Sequence, residues 1–170
     1  MGKAILWAAA LLLAIVSTAA AEPAEHPAGS AEQTALIVER FKTRFSTVGP
    51  QMADDLEALY APELRFRDPI TQLAGLDAMR RYLKHFGETA PGARFTITDA
   101  VIQPGNAAVF WTMTSAADGA KAGREIQGVS HLRVRERVYE ERDYFDLGEV
   151  YDQVPVVNWF TGLVKSRLAP

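Results

Sequence analysis

The spacing of apolar residues changes midway along this chain, from helical to alternating, and the change falls at Pro91-Gly92. Ahead of it, Ile37, Phe41, Phe45 and Val48 recur at helical spacing. So do Met52, Leu56, Leu59 and Tyr60, and then Leu76, Met79, Leu83 and Phe86. Gly49-Pro50 separates the first two helices and Ala61-Pro62 stops the second. Leu64 to Arg67 reads as a short extended piece ended by Asp68-Pro69, residues 68–75 as a loop, and Asp77 suits the first turn of the third helix. Behind the change, Phe95, Ile97 and Val101 alternate with Arg94, Thr96 and Thr98. Pro104-Gly105-Asn106 is a turn signal, and Val109, Trp111 and Met113 share a face of the next strand. Residues 117–123 form a loop, followed by strands from Ile126 to Val134 and from Val138 to Leu147. An amphipathic segment from Val154 to Leu168 is predicted to pack Trp159 and Phe160 on its own domain rather than on a membrane surface. Helices segregated from hairpin-linked strands predict an α+β fold: a cone-shaped, curved antiparallel sheet wrapped around N-terminal helices, with one apolar pocket in its concave face.

The N-terminus follows a different logic. Lys3, the apolar run Ala4 to Val16 and the small residues up to Ala19-Ala20-Ala21 describe a secretory signal peptide over residues 1–21. The run is shorter than the roughly 20 residues a membrane span needs. The expected location is therefore outside the cytoplasm, periplasmic or extracellular, with an uncleaved anchor as the alternative. Residues 22–33, rich in Ala, Glu, Pro and Gly, read as a flexible leader, which leaves residues 34–170 as one domain. The chain has no cysteine, so an exported form is held by its core without disulfides, and thiolate chemistry is excluded. Net charge is −3 with the two signs mixed, which argues against nucleic acid as a partner. His26, His85 and His131 lie too far apart in sequence to give metal-ligand spacing, so no metal is expected.

Three sites carry candidate chemistry. Asp68 precedes a proline and has extended backbone, with Phe66 as its neighbour by parity. A carboxylate beside aromatics has a raised pKa and can act as a base. The same residue at the head of a turn also caps it by accepting backbone N–H bonds. On the last strand, alternation sets Asp143 with Glu141 and Phe145, and Asp146 with Arg142 and Tyr144, so one set faces a pocket and the other does not. An inward Asp143 is a buried carboxylate that needs partners, and Asp68 beside it pushes the two titrations apart. Ser130 and His131 point to opposite faces of their strand and cannot pair as nucleophile and base. Arg133, Arg135 and Arg137, with Glu136, Glu140 and Glu141 nearby, read as a solvated, charge-mixed hairpin.

The run Leu59-Tyr60-Ala61-Pro62-Glu63-Leu64-Arg65-Phe66-Arg67-Asp68-Pro69 resembles the hallmark of SnoaL-like proteins and ketosteroid isomerases, of the nuclear-transport-factor-two-like superfamily. So do Gly75-Leu76-Asp77-Ala78-Met79-Arg80-Arg81-Tyr82, Gly128-Val129-Ser130-His131-Leu132-Arg133 and Arg142-Asp143-Tyr144-Phe145-Asp146-Leu147. In ketosteroid isomerases the general base is the Asp of the Asp-Pro motif, and the resemblance places that role on Asp68. The positions of their oxyanion-holding Tyr and protonated Asp are Phe41 and Ser130 here, neither a phenol nor an acid. The last motif is also similar to the matching strand of limonene epoxide hydrolase, where its first Asp belongs to an Asp-Arg-Asp set. That role falls on Asp143, while the other two positions are Met113 and Ser115. The resemblance implies a pocket without metal or organic cofactor, with Asp68 as the catalytic base and Asp143 as the acid or its electrostatic partner. Phe41, Phe66, Trp111, Met113, Ser130 and Phe145 would hold a small apolar molecule. Isomerase, cyclase or hydrolase chemistry all fit this pattern. The superfamily also contains non-catalytic domains, so a binding module for a hydrophobic ligand, or a dimerising interaction domain, is the alternative. Its members often pair through the sheet, which makes a homodimer the expected assembly.

Overall fold

The computed structural model describes residues 29–90, 92–115 and 125–151. The signal-peptide segment, the loop at 117–123 and the amphipathic segment Val154 to Leu168 lie outside the described residues. The first helix, α1 (Ala31–Phe45), starts inside the stretch read as a leader. Ser30 is its N-cap, with Oγ accepting from the Gln33 amide at 3.1 Å. Residues 30–33 therefore belong to the folded unit. Thr34, Ile37, Val38, Phe41 and Phe45 form the buried stripe.

The second predicted helix is instead two 3₁₀ turns, Pro50–Ala53 and Leu56–Ala58, and Tyr60 already opens strand β1 (Tyr60–Arg67). Asp55 between the turns takes a left-handed backbone, with φ 46°, which no continuing helix tolerates. Met52, Leu56 and Leu59 are buried all the same, so the helical spacing marked the inward residues and not the element. Part of the predicted loop pairs with β1 as strand β2 (Gln72–Ala74), before α2 (Leu76–Thr89).

Buried Gly87 lets α2 lie against the first 3₁₀ turn. A Cβ there would come within 2.3 Å of the Gly49 carbonyl carbon, an atom of the backbone that cannot swing aside. Gly87→Ala should lose about 3 kcal/mol by urea unfolding, although alanine is intrinsically the better helix former by about 1 kcal/mol. An unchanged or raised midpoint would show that the turn yields.

Four long strands follow: β3 (Arg94–Gln103), β4 (Asn106–Thr114), β5 (Glu125–Val134) and β6 (Val138–Phe145), and then a short helix, α3 (Leu147–Tyr151). The sheet has six strands in the order β2-β1-β6-β5-β4-β3. It is antiparallel except where β6 returns to lie parallel to β1. That pairing shifts register between Tyr60 and Arg65, around Pro62, which has no N–H to give the ladder. A second irregularity between Ile97 and Asp99 reverses the faces of β3. Ile97 and Ala100 consequently pack on the core, and Val101, expected on the same face as Ile97, is 53% exposed. The core lies between the concave face, which contributes Leu64, Val109, Leu132 and Val138, and the helical layer, which contributes Ile37, Leu56 and Leu83. Among the described residues, no helix is long and apolar enough to cross a membrane.

Candidate active site

A cavity of about 320 Å³ remains between α2 and the concave face. Its wall is a run of aromatic rings. Phe45 meets Phe95 at 6.1 Å between centroids, Phe95 meets Trp111 at 5.2 Å edge-on, and Trp111 meets Phe145 at 6.2 Å. Gly128 makes room for the indole, since a Cβ at that position would fall 2.3 Å from the Trp111 ring. The indole is aimed by Ser130, whose Oγ accepts from Trp111 Nε1 at 3.0 Å. Of the residues expected to hold a ligand, Phe66, Trp111, Met113 and Phe145 line the cavity. Two do not. Phe41 lies one turn before Phe45 on the same stripe of α1 and stacks on it at 4.5 Å within the core. Ser130, 2% exposed, stands behind the wall as the partner of the indole.

Three carboxyl groups line the cavity: Asp68, Glu141 and Asp143. Asp68 follows β1 and does what an Asp before a turn ordinarily does, accepting from the backbone N–H groups of Ile70 (2.7 Å) and Thr71 through Oδ1. Its Oδ2 accepts from the Tyr82 phenol at 2.8 Å, and the Tyr82 ring packs on Phe66 at 5.1 Å. Burial and the bond to Asp68 push the Tyr82 phenol up, so it keeps its proton.

Alternation along β6 turns Glu141, Asp143 and Phe145 inward, and leaves Tyr144 44% exposed beside Arg142, whose guanidinium lies 4.8 Å from its ring centroid. The hairpin is thus charge-mixed on its outer face only. Glu141, read as part of that solvated surface, is 2% exposed and receives the Tyr60 phenol on Oε2 at 2.6 Å. The sequence signal was available, because Glu141 shares parity with Asp143; what hid it was the run of acids and arginines around it. Tyr82 lay inside a recognised motif without being singled out.

Asp143 Oδ1 is buried and, among the described residues, has no hydrogen-bond partner. Burial pushes the Asp143 carboxyl up to about 7; hydrogen bonds from Ser130 and Glu141 oppose the rise, and the Asp68 charge adds to it. Burial first, and the Asp143 charge second, raise Glu141 well above the carboxylate range. Both carboxyls are thus pushed toward their protonated forms, and their titrations are linked. Ser130 faces Asp143 across the β5–β6 pair, and with Oγ accepting from Trp111 its own O–H is free to donate. His131, on the opposite face, bonds Asn106 at 2.6 Å and is not part of this constellation. No cluster of His, Asp and Glu suited to a metal ion occurs among the described residues.

A curved sheet closed by helices over an apolar cavity with inward acids defines the nuclear-transport-factor-two-like cone. The SnoaL-like domain model matches residues 38–140, well over half of the chain, and the protein belongs to that family. A comparison with curated proteins gives no match. Solved structures with the same fold include a protein of unknown function from Mesorhizobium loti, 25% identical, with a TM-score of 0.57, covering 71% of this chain and 97% of its own. A candidate SnoaL-like polyketide cyclase from a Jannaschia species is 17% identical, with a TM-score of 0.62, covering 71% and 90% respectively. A candidate ketosteroid isomerase from Kribbella flavida is 22% identical, with a TM-score of 0.52, covering 67% and 78%.

Proposed function

We propose that this protein is a cofactor-independent enzyme that moves a proton on a small, largely apolar substrate, in the manner of an isomerase or cyclase. The observation that carries this reading is Asp143: a half-buried residue on the lining of an aromatic cavity, whose buried Oδ1 has no hydrogen-bond partner among the described residues and whose ionisation falls near neutral pH. A base works best when its pKa lies close to the working pH. In this scheme Asp143 takes a proton from a carbon next to a carbonyl and returns it elsewhere on the same skeleton, so no atom is gained or lost. Asp68 is the weaker candidate for the base, because both its oxygens already accept hydrogen bonds. It serves instead as a fixed negative charge that keeps Asp143 basic. The Tyr82 phenol gives its single O–H to Asp68 Oδ2 and so orients that carboxylate beside the cavity. The family membership supports this class of chemistry without naming the substrate.

The test is exchange of α-hydrogens in D₂O, followed by NMR, with cyclohex-3-enone and 2-decalone as probes. Exchange above the buffer rate that saturates with ketone concentration is the expected result. Buffer-level exchange for both probes would argue against the reading. We also propose that the protein acts outside the cytoplasm, on the strength of the Ala4–Val16 run and the Ala19-Ala20-Ala21 site. Amino-terminal sequencing of protein recovered from its own cells should begin at or near Glu22; a chain still starting at Met1 would oppose this.

A further inference from the structure

Glu141 is the most buried ionisable group in the cavity lining, and the proton-transfer scheme above gives it no part. It stands two residues before Asp143 on the same face of β6, so the two carboxyls are neighbours along one strand. Its Oε2 is taken by the Tyr60 phenol at 2.6 Å, a short bond between two groups that are both almost fully shielded from solvent. A carboxylate in that place would be a second buried negative charge next to Asp143, with Asp68 as a third nearby; a carboxylic acid would be a donor. Resting on the reading of Asp143 as the proton-transfer group, we propose that Glu141 is its positioning residue. It is held neutral beside the Tyr60 phenol and gives its own O–H to Asp143, so that the negative charge of the pair resides on Asp143.

The surrounding groups agree with this division. Around the pair, β1 contributes the Tyr60 phenol, the loop after β1 the Asp68 carboxylate, and α2 the Tyr82 phenol, with exposed His85 also on the cavity lining. Arg44, whose guanidinium bonds the Gln51 and Asp55 carbonyls, acts on Tyr60 only through its charge. Among the described residues no cation bonds Glu141 or Asp143, the exposed His85 and the Arg44 guanidinium being engaged with neither carboxyl, so retaining a proton is how the pair avoids carrying two charges. Burial and the Asp143 charge both favour the acid form of Glu141, and the hydrogen bond from Glu141 holds Asp143 down, toward a value where it ionises at neutral pH. Two groups able to donate thus flank Asp143: Ser130, paired with it across β5–β6 and itself fixed by Trp111, and Glu141, two residues before it on β6 and itself fixed by Tyr60.

Two measurements test this, one without any assay of turnover. In infrared spectra of the wild-type protein at pH 8, a carboxylic-acid C=O stretch from a buried acid is expected, present in Asp143→Asn and gone in Glu141→Gln. Its absence from the wild type, or its persistence in Glu141→Gln, would overturn the proposal whether or not the protein moves protons. The second measurement is the pH profile of α-hydrogen exchange. Glu141→Gln keeps an N–H donor and should keep the wild-type midpoint. Glu141→Leu removes the donor and should move the midpoint up by about one pH unit, so that exchange below it falls about tenfold. A midpoint unmoved in Glu141→Leu, or moved equally in both variants, would reduce Glu141 to a packing residue. If no exchange occurs at all while the infrared band behaves as described, the function assigned to Asp143 fails and the protonated Glu141 stands.

Discussion

Asp143→Asn should slow α-hydrogen exchange at pH 8 by about a thousandfold while leaving the fold intact. General acid–base catalysis contributes about 10²–10⁴ to a rate, and the amide removes the base without removing its volume. The introduced amide can still accept from Ser130 through its oxygen, so the aromatic wall aimed by Ser130 and Trp111 stays where it is. Asp68→Asn should have a milder and different effect. Asp68 accepts from Ile70, Thr71 and Tyr82, and its charge helps to keep Asp143 basic. Removing that charge should move the midpoint of the pH profile down and distort the loop after β1, rather than abolish exchange. A wild-type rate in Asp143→Asn, measured by the same NMR assay, would take the proton-transfer role away from Asp143.

The same replacement should make the protein more stable at alkaline pH. Asp143 has a folded-state pKa of about 7 against 3.8 for an ordinary aspartate. Folding therefore favours its protonated form. Its contribution to stability is complete below about pH 4 and is lost as the pH climbs through 7. The shift corresponds to about 4 kcal/mol once the group is ionised in both states. Glu141, raised in the same direction, adds to the slope at higher pH. A side-chain amide has nothing to ionise, so Asp143→Asn should unfold at higher urea than wild type at pH 8, with the gap closing toward pH 4. A gap that widens on acidification would mean that Asp143 is held as a stabilised carboxylate, contrary to its surroundings. Loss of exchange together with a gain in stability is the signature of a residue kept for chemistry at the expense of the fold.

Much of this architecture was legible in the order of periods along the chain. The α2 stripe of Met79, Leu83 and Phe86 and the inward set Val109, Trp111 and Met113 follow directly from spacing. The second helical segment failed for a local reason: Pro50 and left-handed Asp55 break it into 3₁₀ turns, while its apolar residues still point inward. Val101 failed because an irregularity between Ile97 and Asp99 reverses parity, and irregularities of pairing leave no mark in apolar alternation. The candidate site was half legible. Asp68 and Asp143 came from motifs, and both line the cavity. Glu141 was hidden because alternation cannot say which face is wet when both carry acids. Phe41 and Ser130 fell outside the lining because position in a motif does not record depth, and each stands one layer behind a residue that does touch the cavity.

The parallel contact between β1 and β6 has a consequence for how the chain matures. Residues 60–67 are synthesised long before residues 138–145, and until the later strand arrives β1 is covered on one side only, by β2. During that interval its open side is a template for unwanted pairing with another chain. Two of the three acids of the cavity also enter late, since Glu141 and Asp143 both ride on β6. A nascent chain halted before residue 138 would carry α1, α2 and most of the aromatic wall, but Asp68 alone of the three acids.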